Sequence, residues 1–122
     1  MSAELVAKAE TAAKAAYAPY SSYLVGAVVR TRDGREFAGV NVENAAYPLG
    51  MCAEKTAIGN AVTAGYRPGD LAAIGITASP CGGCRQWLHE FRIDEISYRR
   101  EDGTIATVAT GDLLPDTWNL PE

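Results

Sequence analysis

Residues Leu71 to Phe91 read LAAIGITASPCGGCRQWLHEF, and this stretch decides the fold. Its first part, residues 71–78, is a short apolar run that is typical of a buried strand in the middle of a sheet. Its second part, residues 81–91, predicts a helix that follows the strand directly. A strand that leads straight into a helix indicates an α/β fold, and the cysteine pair Cys81 and Cys84 lies at the start of that helix.

The segments on either side predict the rest of one sheet. The dipeptide Asp33-Gly34 is a strong hairpin signal between two apolar, β-branched runs, so we expect those two strands to be antiparallel neighbours. The other elements are predicted from apolar periodicity and from the turn residues between them. They are a helix over 3–17, strands over 23–31 and 35–42, a turn over 47–50, a helix over 52–64, strands over 93–98 and 104–109, and a closing turn over 112–115. This order predicts a three-layer α/β/α fold with one mixed five-stranded sheet, as a single domain over residues 1–122.

Length and charge limit the possible partners. A chain of 122 residues is long enough for one core, and its net charge of −4 provides no field that would attract nucleic acid or an anionic membrane. No apolar run is long enough to span a bilayer, and the N-terminus lacks the pattern of a signal peptide. The odd number of cysteines argues against a disulfide framework. We therefore expect a cytoplasmic protein whose partner is a small molecule.

All three cysteines fall in two short motifs, Cys52-Ala53-Glu54 and the pair Cys81 and Cys84. Both motifs are predicted at helix N-termini, where the helix dipole favours a thiolate. Two such helices side by side would bring the three sulfur atoms to one point. Three thiolates leave one position of a tetrahedral zinc ion for water, which is the pattern of a catalytic site rather than a structural one. The sequence therefore predicts one zinc ion per chain.

Two kinds of charged side chain are expected beside this centre. Glu54 follows Cys52 by two residues, close enough to take and return the protons of a metal-bound water. Three thiolates carry more negative charge than zinc neutralises. We therefore expect Lys55 or Arg85 to compensate by donating to cysteine sulfur.

Two other interpretations of the cysteines stay open at this point. The C-x2-C pair alone is also compatible with a redox dithiol, although that leaves Cys52 and Glu54 without a task. A closed structural zinc site needs a fourth ligand, and the only histidine is His89. His89 is five positions after Cys84, on a different side of the predicted helix, so we expect it at the helix surface.

Longer motifs resemble the small homotetrameric zinc-dependent cytidine deaminases. They are Asn41-Val42-Glu43-Asn44-Ala45 ahead of Cys52-Ala53-Glu54, and Ser79-Pro80-Cys81-Gly82-Gly83-Cys84-Arg85-Gln86. Shorter matches are Tyr17-Ala18-Pro19-Tyr20-Ser21, Val25-Gly26-Ala27 and Leu113-Leu114-Pro115. The resemblance covers residues 17 to 118, and the motifs are specific in combination.

This resemblance implies a cytidine deaminase-like fold and a reaction. It implies that Cys52, Cys81 and Cys84 bind zinc and that Glu54 shuttles protons. The implied reaction is the hydrolysis of cytidine and 2′-deoxycytidine to uridine and 2′-deoxyuridine plus ammonia, a step of pyrimidine salvage. The implied substrate contacts are Asn41 and Glu43 to the ribose, Tyr23 against the base, the Ala53 backbone to the pyrimidine carbonyl, and the Ser79 carbonyl to the exocyclic amine. It also implies a homotetramer with shared active sites, in which Ala45, Tyr47 and Phe91 approach the site of a neighbouring subunit.

The chain departs from the family pattern at two positions. Lys55 stands where the family commonly has an arginine bonded to the ligand sulfurs, and lysine lacks the planar fork of donors. Tyr23 stands where the family usually has phenylalanine, so its hydroxyl needs a partner or shifts the base.

Other functions and plainer roles remain to be weighed. A deaminase of a modified cytosine nucleoside, such as blasticidin S, lacks much of the Asn-x-Glu-Asn motif that this chain has in full. Nucleic-acid-editing deaminases usually begin the zinc motif with histidine, and a non-catalytic zinc-binding domain would have no use for Glu54. Plainer roles exist for the remaining residues: Asn41 and Glu43 as caps of a strand end, Tyr23 as core, Tyr47 and Phe91 as packing, and Lys55 as a solvated lysine.

Overall fold

A five-stranded mixed sheet organises the part of the chain that the computed structural model describes, residues 2–119. The elements are α1 (Ala3–Ala13), β1 (Gly26–Thr31), β2 (Glu36–Val40), a 3-10 turn (Tyr47–Leu49), α2 (Ala53–Thr63), β3 (Leu71–Ile76), α3 (Gly82–Glu90), β4 (Glu95–Arg99), β5 (Ile105–Val108) and α4 (Thr110–Leu113). The strand order is β2-β1-β3-β4-β5, and only β3 and β4 run parallel. The predicted central strand, hairpin and mixed sheet are confirmed.

Helices cover both faces of the sheet. On one face, Leu5 and Ala9 of α1 pack against Val28 and Ala73. On the other face, α2 and α3 share a larger core with buried side chains of β1, β3, β4 and β5, and the partly buried Phe37 of β2 packs against it. Successive strand residues point to opposite faces, so one strand serves both layers. The three-layer α/β/α class is confirmed.

Glycines in the strands let the helices lie close to the sheet. A Cβ atom at Gly39 of β2 would lie 2.2 Å from the backbone nitrogen of Ala57 in α2, and one at Gly26 of β1 would lie 2.1 Å from the carbonyl oxygen of Ala9 in α1. Both distances are far inside van der Waals contact, so no side chain fits at either position. The close approach of α2 helps to fix where its N-terminus, next to Cys52, meets the sheet.

Two element boundaries differ from the prediction by three residues or more, in each case because of a contact with a residue distant in the sequence. The helix predicted over 3–17 ends at Ala13, because Tyr17 pairs with the chain after β2 through Tyr17 N–H to Asn41 O (3.0 Å) and Glu43 N–H to Tyr17 O (2.9 Å). The strand predicted over 23–31 begins at Gly26, because the Asn41 side chain binds the backbone of residues 23–25 in place of a strand partner. The closing turn predicted over 112–115 is the short helix α4.

Candidate metal centre and active-site cleft

The three cysteine sulfurs meet at one point. All three Sγ atoms lie within 4.8 Å of one another, and those of Cys52 and Cys81 are 3.9 Å apart. Thiolates around a tetrahedral zinc ion, each bound at about 2.3 Å, are separated by about 3.8 Å. The donor set therefore has the chemistry and the spacing that zinc requires.

Two helix N-termini produce this convergence. Cys52 is the N-cap of α2 and Cys81 the N-cap of α3, both with extended backbone, and Cys84 is buried in the first turn of α3. The backbone N–H of Cys84 donates to the sulfur of Cys81 (3.4 Å), so the helix end itself stabilises negative charge on that sulfur. The predicted meeting of the two helix heads is observed.

The thiols influence one another's protonation. A hydrogen bond from the Cys84 thiol lowers the pKa of Cys52 to about 6, and the positive charge of Lys55 acts in the same direction. The same hydrogen bond and burial raise the pKa of Cys84 above its ordinary value. The cluster therefore holds a thiolate at Cys52 at neutral pH, which favours binding of a cation that requires deprotonated sulfur.

Glu54 is a buried carboxyl group beside the thiols. It lies in the first turn of α2 with 4% of its surface exposed, and burial raises its pKa to about 7. The charge of Cys52 adds to the rise, and Lys55 opposes it. A carboxyl group that titrates near neutral pH is suited both to accept and to donate a proton in catalysis.

A cleft of about 690 Å³ opens next to the thiols and Glu54. Its volume is in the range of small-molecule sites. Ten of the residues singled out from the sequence line it: Tyr23, Asn41, Glu43, Ala45, Tyr47, Cys52, Ala53, Glu54, Ser79 and Cys81. Two of the three implied ligands, the implied proton shuttle and the implied substrate contacts thus line one cavity, and the third ligand, Cys84, is buried with its sulfur within 4.8 Å of the other two.

Asn41 lies at the end of β2 and holds the preceding loop. Its Oδ1 accepts a hydrogen bond from the backbone N–H of Val25 (2.9 Å), and its Nδ2 donates to the carbonyl oxygen of Tyr23 (2.9 Å). An amide has two N–H donors, and within residues 2–119 one of them has no partner.

Glu43 holds the same loop two residues further on. Its Oε1 accepts the backbone N–H groups of Tyr20 (2.9 Å) and Ser21 (3.1 Å), and its Oε2 accepts the Ser21 hydroxyl. The Ser21 hydroxyl is the main cause of a pKa below the ordinary value for Glu43. Sequence reasoning assigned no role to Ser21, although it ends the Tyr17–Ser21 motif.

The capping role considered for Asn41 and Glu43 is therefore observed, and it leaves part of each side chain available. Oε2 of Glu43 retains one lone pair that no group within residues 2–119 fills. Loop binding thus leaves one donor on Asn41 and one acceptor position on Glu43 without a partner in this part of the chain.

The aromatic residues differ in their positions. Tyr23 is 61% exposed at the cleft, so a core role for it is wrong, and Tyr47 is 91% exposed at the same cleft. Phe91 lies outside this cleft, at the end of α3, where it stacks on Trp87 at 6.2 Å in a separate apolar groove. Of the three residues expected to approach a neighbouring subunit's site, Ala45 and Tyr47 line the cleft of their own chain and Phe91 does not.

Lys55 acts on the thiols through its charge. Its Nζ lies 5.9 Å from the centre of the Trp87 ring and only 3.7 Å from the position that a Cβ of residue 83 would take. A Cβ at position 83 would therefore make an ordinary van der Waals contact with the ammonium group. No hydrogen bond joins Nζ to a cysteine sulfur within residues 2–119, so the expected direct donation is not observed.

Arg85 has other partners than those expected. Its guanidinium donates to the carbonyl oxygens of Pro80 and Leu113 and to the Ser79 hydroxyl. The expected donation from Arg85 to cysteine sulfur is not observed within residues 2–119, where its guanidinium bonds the turn before Cys81 and the end of α4. His89 bonds Asn119 at 2.7 Å, away from the three sulfurs.

The fold and the site together define a class: an α/β/α deaminase-type domain with a three-cysteine metal centre and a buried glutamate. The family model described as the cytidine and deoxycytidylate deaminase zinc-binding region matches residues 1–100. The chain belongs to this family of hydrolytic deaminases.

Individual relatives agree with that assignment. The structure of cytidine deaminase from Burkholderia pseudomallei is 42% identical, with a TM-score of 0.89 over 97% of this chain and 99% of that chain. The structure of cytidine deaminase from Mycobacterium tuberculosis is 36% identical, with a TM-score of 0.82 over 97% of both chains. The cytidine deaminase of Halalkalibacterium halodurans is 37% identical over 97% of this chain and 94% of its own length.

Proposed function

We propose that this protein hydrolyses cytidine and 2′-deoxycytidine to uridine and 2′-deoxyuridine with release of ammonia. The observation that carries the proposal is the buried Glu54 beside three converging thiols, at a cleft in the size range of small-molecule sites. Similarity to proteins named cytidine deaminase over almost the whole chain supports the same reaction. We place the reaction in pyrimidine salvage in the cytoplasm.

One zinc ion per chain is proposed at Cys52, Cys81 and Cys84, whose donor chemistry and spacing fit it. When bound, zinc would act as a Lewis acid that lowers the pKa of a water molecule. The N-termini of α2 and α3 favour the thiolate forms, and Lys55 adds a positive charge beside them.

Glu54 is proposed to move the protons of the reaction. As water attacks C4 of the cytosine ring, Glu54 takes its first proton and delivers it to ring nitrogen N3. Glu54 then passes the remaining proton of the new C4 hydroxyl to the exocyclic nitrogen, the C4–N bond breaks as the C4 carbonyl forms, and uridine and ammonia result. The raised pKa of Glu54, about 7, suits both the accepting and the donating step.

The remaining cleft residues are proposed to bind the nucleoside. The unused N–H of Asn41 and the unused lone pair of Glu43 are complementary to a ribose hydroxyl. The exposed ring of Tyr23 offers an aromatic surface for the base. The Ala53 backbone and the Ser79 carbonyl are proposed to contact the pyrimidine carbonyl and the exocyclic amine.

A homotetramer with shared active sites is proposed as the working form. Supporting it, Tyr47 and Leu49 are 91% and 69% exposed beside the cleft in the single chain, an unusual exposure for large apolar side chains. Ala45, Tyr47 and Phe91 are the proposed contacts to a neighbouring site. Nucleic acid and membranes are not expected partners, and within residues 2–119 no helix has the length and apolar character to cross a bilayer.

A substrate panel tests the proposal. The zinc-loaded protein is incubated with cytidine, 2′-deoxycytidine, free cytosine, deoxycytidylate and blasticidin S, and loss of the cytosine chromophore is followed by ultraviolet absorbance. We expect turnover of both nucleosides and much slower turnover of free cytosine, which lacks the sugar that Asn41 and Glu43 would bind. Turnover of blasticidin S alone would replace the proposed substrate, and no turnover of any compound would contradict the proposal.

A further inference from the structure

Arg85 connects its own helix, α3, with two other segments of the chain. Its Nε donates to the carbonyl oxygen of Pro80 (2.9 Å), one Nη to that of Leu113 (3.0 Å), and the other Nη to the Ser79 hydroxyl (3.2 Å). These partners belong to the turn after β3 and to the end of α4. One side chain thus holds both segments against the first turns of α3.

The geometry of this contact depends on arginine. Arg85 lies one residue after Cys84, and a helical side chain extends toward the helix N-terminus, which here is the turn that contains Pro80. A planar guanidinium offers donors in several fixed directions, whereas an ammonium group concentrates them at one atom. Arg85 is not among the residues that line the cleft, although its partner Ser79 is.

The turn held by Arg85 carries two parts of the proposed site. Ser79 lines the cleft, and Cys81 supplies one of the three sulfurs. Pro80, between them, is buried and has no N–H, so its carbonyl oxygen is the only hydrogen-bonding group of its backbone. A shift of this turn would move Ser79 and Cys81 together.

The other end of the contact is anchored in the core. Leu113 packs against the main hydrophobic cluster, and it is the last residue of α4, where carbonyl groups lack a partner within the helix. Its carbonyl oxygen is therefore available to Arg85 and fixed in position. This contact gives a role to the Leu113-Leu114-Pro115 motif, which the proposed chemistry leaves unexplained.

We infer that Arg85 is a positioning residue, which fixes the turn Ser79–Cys81 against α4 so that Cys81 and the Ser79 carbonyl keep their places relative to Glu54. The expected effect of Arg85 on turnover rests on the proposed function. The expected effect of Arg85 on zinc retention does not, because it requires only that the three thiols bind zinc. Residues that orient metal ligands commonly change metal affinity or activity by about 10–100-fold when replaced.

Arg85→Gln tests the inference, with Arg67→Gln as the matched control. Arg67 also donates to two backbone carbonyls, those of Val62 (3.1 Å) and Tyr66 (2.8 Å), but is not among the residues that line the cleft.

Three measurements are made on both variants: the rate of zinc loss to a competing chelator, the kcat and KM for cytidine, and the Tm. For Arg85→Gln we expect zinc to be lost to the chelator about 10-fold faster or more, and kcat/KM to fall by about 10-fold or more. For Arg67→Gln we expect a comparable change in Tm with zinc loss and kinetics within about 2-fold of the unmodified protein.

Arg85→Lys keeps the inference testable if the glutamine variant does not fold. It retains the charge but not the fork, so we expect the same direction of effect relative to Arg67→Lys. Equal zinc retention and equal kinetics in the Arg85 and Arg67 variants would overturn the inference. If the unmodified protein does not turn over cytidine but Arg85→Gln still loses zinc faster than Arg67→Gln, the inference stands and the proposed function fails.

Discussion

Glu54 is a carboxyl group held where water has little access. With 4% of its surface exposed, the charged form loses most of its hydration, and its pKa rises to about 7. The adjacent Cys52 thiolate adds to this rise, and Lys55 opposes it. Burying this carboxyl group costs folding free energy, and in return the group can change its protonation state near neutral pH. Such perturbed groups are common at catalytic sites.

Replacing Glu54 by glutamine should separate proton transfer from metal binding. Glutamine has nearly the same shape but cannot carry a proton between water and leaving group, so we expect kcat for cytidine to fall by at least about 10²-fold. Zinc content should stay at one ion per chain, because Glu54 is not one of the three converging ligands. Steady-state kinetics and metal analysis check this, with the exposed Glu101→Gln as control. Unchanged kcat in Glu54→Gln would remove Glu54 from the reaction.

Lys55 allows a test of charge compensation at the same scale. Lys55→Met removes the positive charge near Cys52 and Gly83 but keeps much of the side-chain length, so we expect faster zinc loss to a chelator, by about 10-fold. Lys55→Arg restores the charge and should return zinc retention to within about 2-fold of the unmodified protein. Equal retention in all three proteins would show that the charge at position 55 does not support the thiolates.

At the residue scale, the positions of the site residues in the fold were predictable where they depend on local spacing. Cys52, Glu54, Cys81 and Cys84 occupy first turns or caps of two helices, which the motifs indicate directly. The partners of Arg85 were missed, because Leu113 is 28 residues away and its carbonyl becomes available only through the fold.

At the scale of elements, the packing of α2 on the sheet depends on a strand glycine. Gly39 faces the backbone of α2 so closely that a methyl group would lie 2.2 Å from Ala57 N and 2.6 Å from Ala53 O. Backbone atoms cannot rotate away as a flexible side chain can. A side chain at position 39 would therefore push away the helix that begins next to Cys52.

Gly39→Ala should for this reason lower the free energy of unfolding by about 3 kcal/mol or more. Gly59→Ala, within α2 but with no atom within 4 Å of the added methyl, is the control. There we expect a gain of about 0.5–1 kcal/mol from helix propensity. Urea unfolding of both variants checks the pair. A Gly39→Ala variant as stable as Gly59→Ala would contradict the close packing of α2 on β2.

Element boundaries were harder to predict than element types. Apolar residues continue before Gly26, but Asn41 binds the backbone of Tyr23 and Val25 with its side chain, so these residues form a loop that borders the cleft. The Ala-rich pattern continues past Ala13, but Tyr17 pairs with the chain after β2. In both cases a long-range contact prevails over local propensity, which a single sequence does not reveal.

At the scale of the whole molecule, charged side chains join α1 to the sheet. Arg30 of β1 pairs with Glu4 and with Glu36 (2.9 Å), and Lys8 pairs with Glu36 (2.7 Å). Hydrogen bonds from Lys8 and then Arg30 hold the pKa of Glu36 below its ordinary value of 4.5, and Arg30 does the same for Glu4. The charged forms of both carboxyl groups therefore favour the folded state.

The sign of the resulting pH dependence follows from these lowered pKa values. The carboxylates contribute stability above their unfolded pKa of about 4.5, and this contribution is lost as the pH falls through the lower folded values. Glu36→Gln should lower the Tm at pH 7 by about 4 °C or less, because exposed ion pairs contribute little, and the difference should vanish in acid. Thermal melts from pH 7 to pH 3 check this, with Glu101→Gln as control. A difference that persists or grows at acid pH would contradict the role of these carboxylates.

Much of the overall architecture was predictable from the order of apolar runs and turn residues. The Asp33-Gly34 hairpin indicated that β1 and β2 are neighbours, and the apolar run before Cys81 indicated that β3 is central, but the sequence analysis predicted no other strand pair. The sharing of sites between subunits would depend on a surface that forms only between chains. The exposed Tyr47 and the position of Phe91 in a separate groove are compatible with such sharing, which stays a proposal.

The balance of products tests the central claim most directly. The zinc-loaded protein is incubated with cytidine, and uridine and ammonia are quantified in the same samples over time, with Glu54→Gln in parallel. We predict equimolar uridine and ammonia from the unmodified protein, and at least about 10²-fold slower formation of both from the variant at equal zinc content. Absence of ammonia from a fully zinc-loaded protein, or equal rates in the two proteins, would contradict the account.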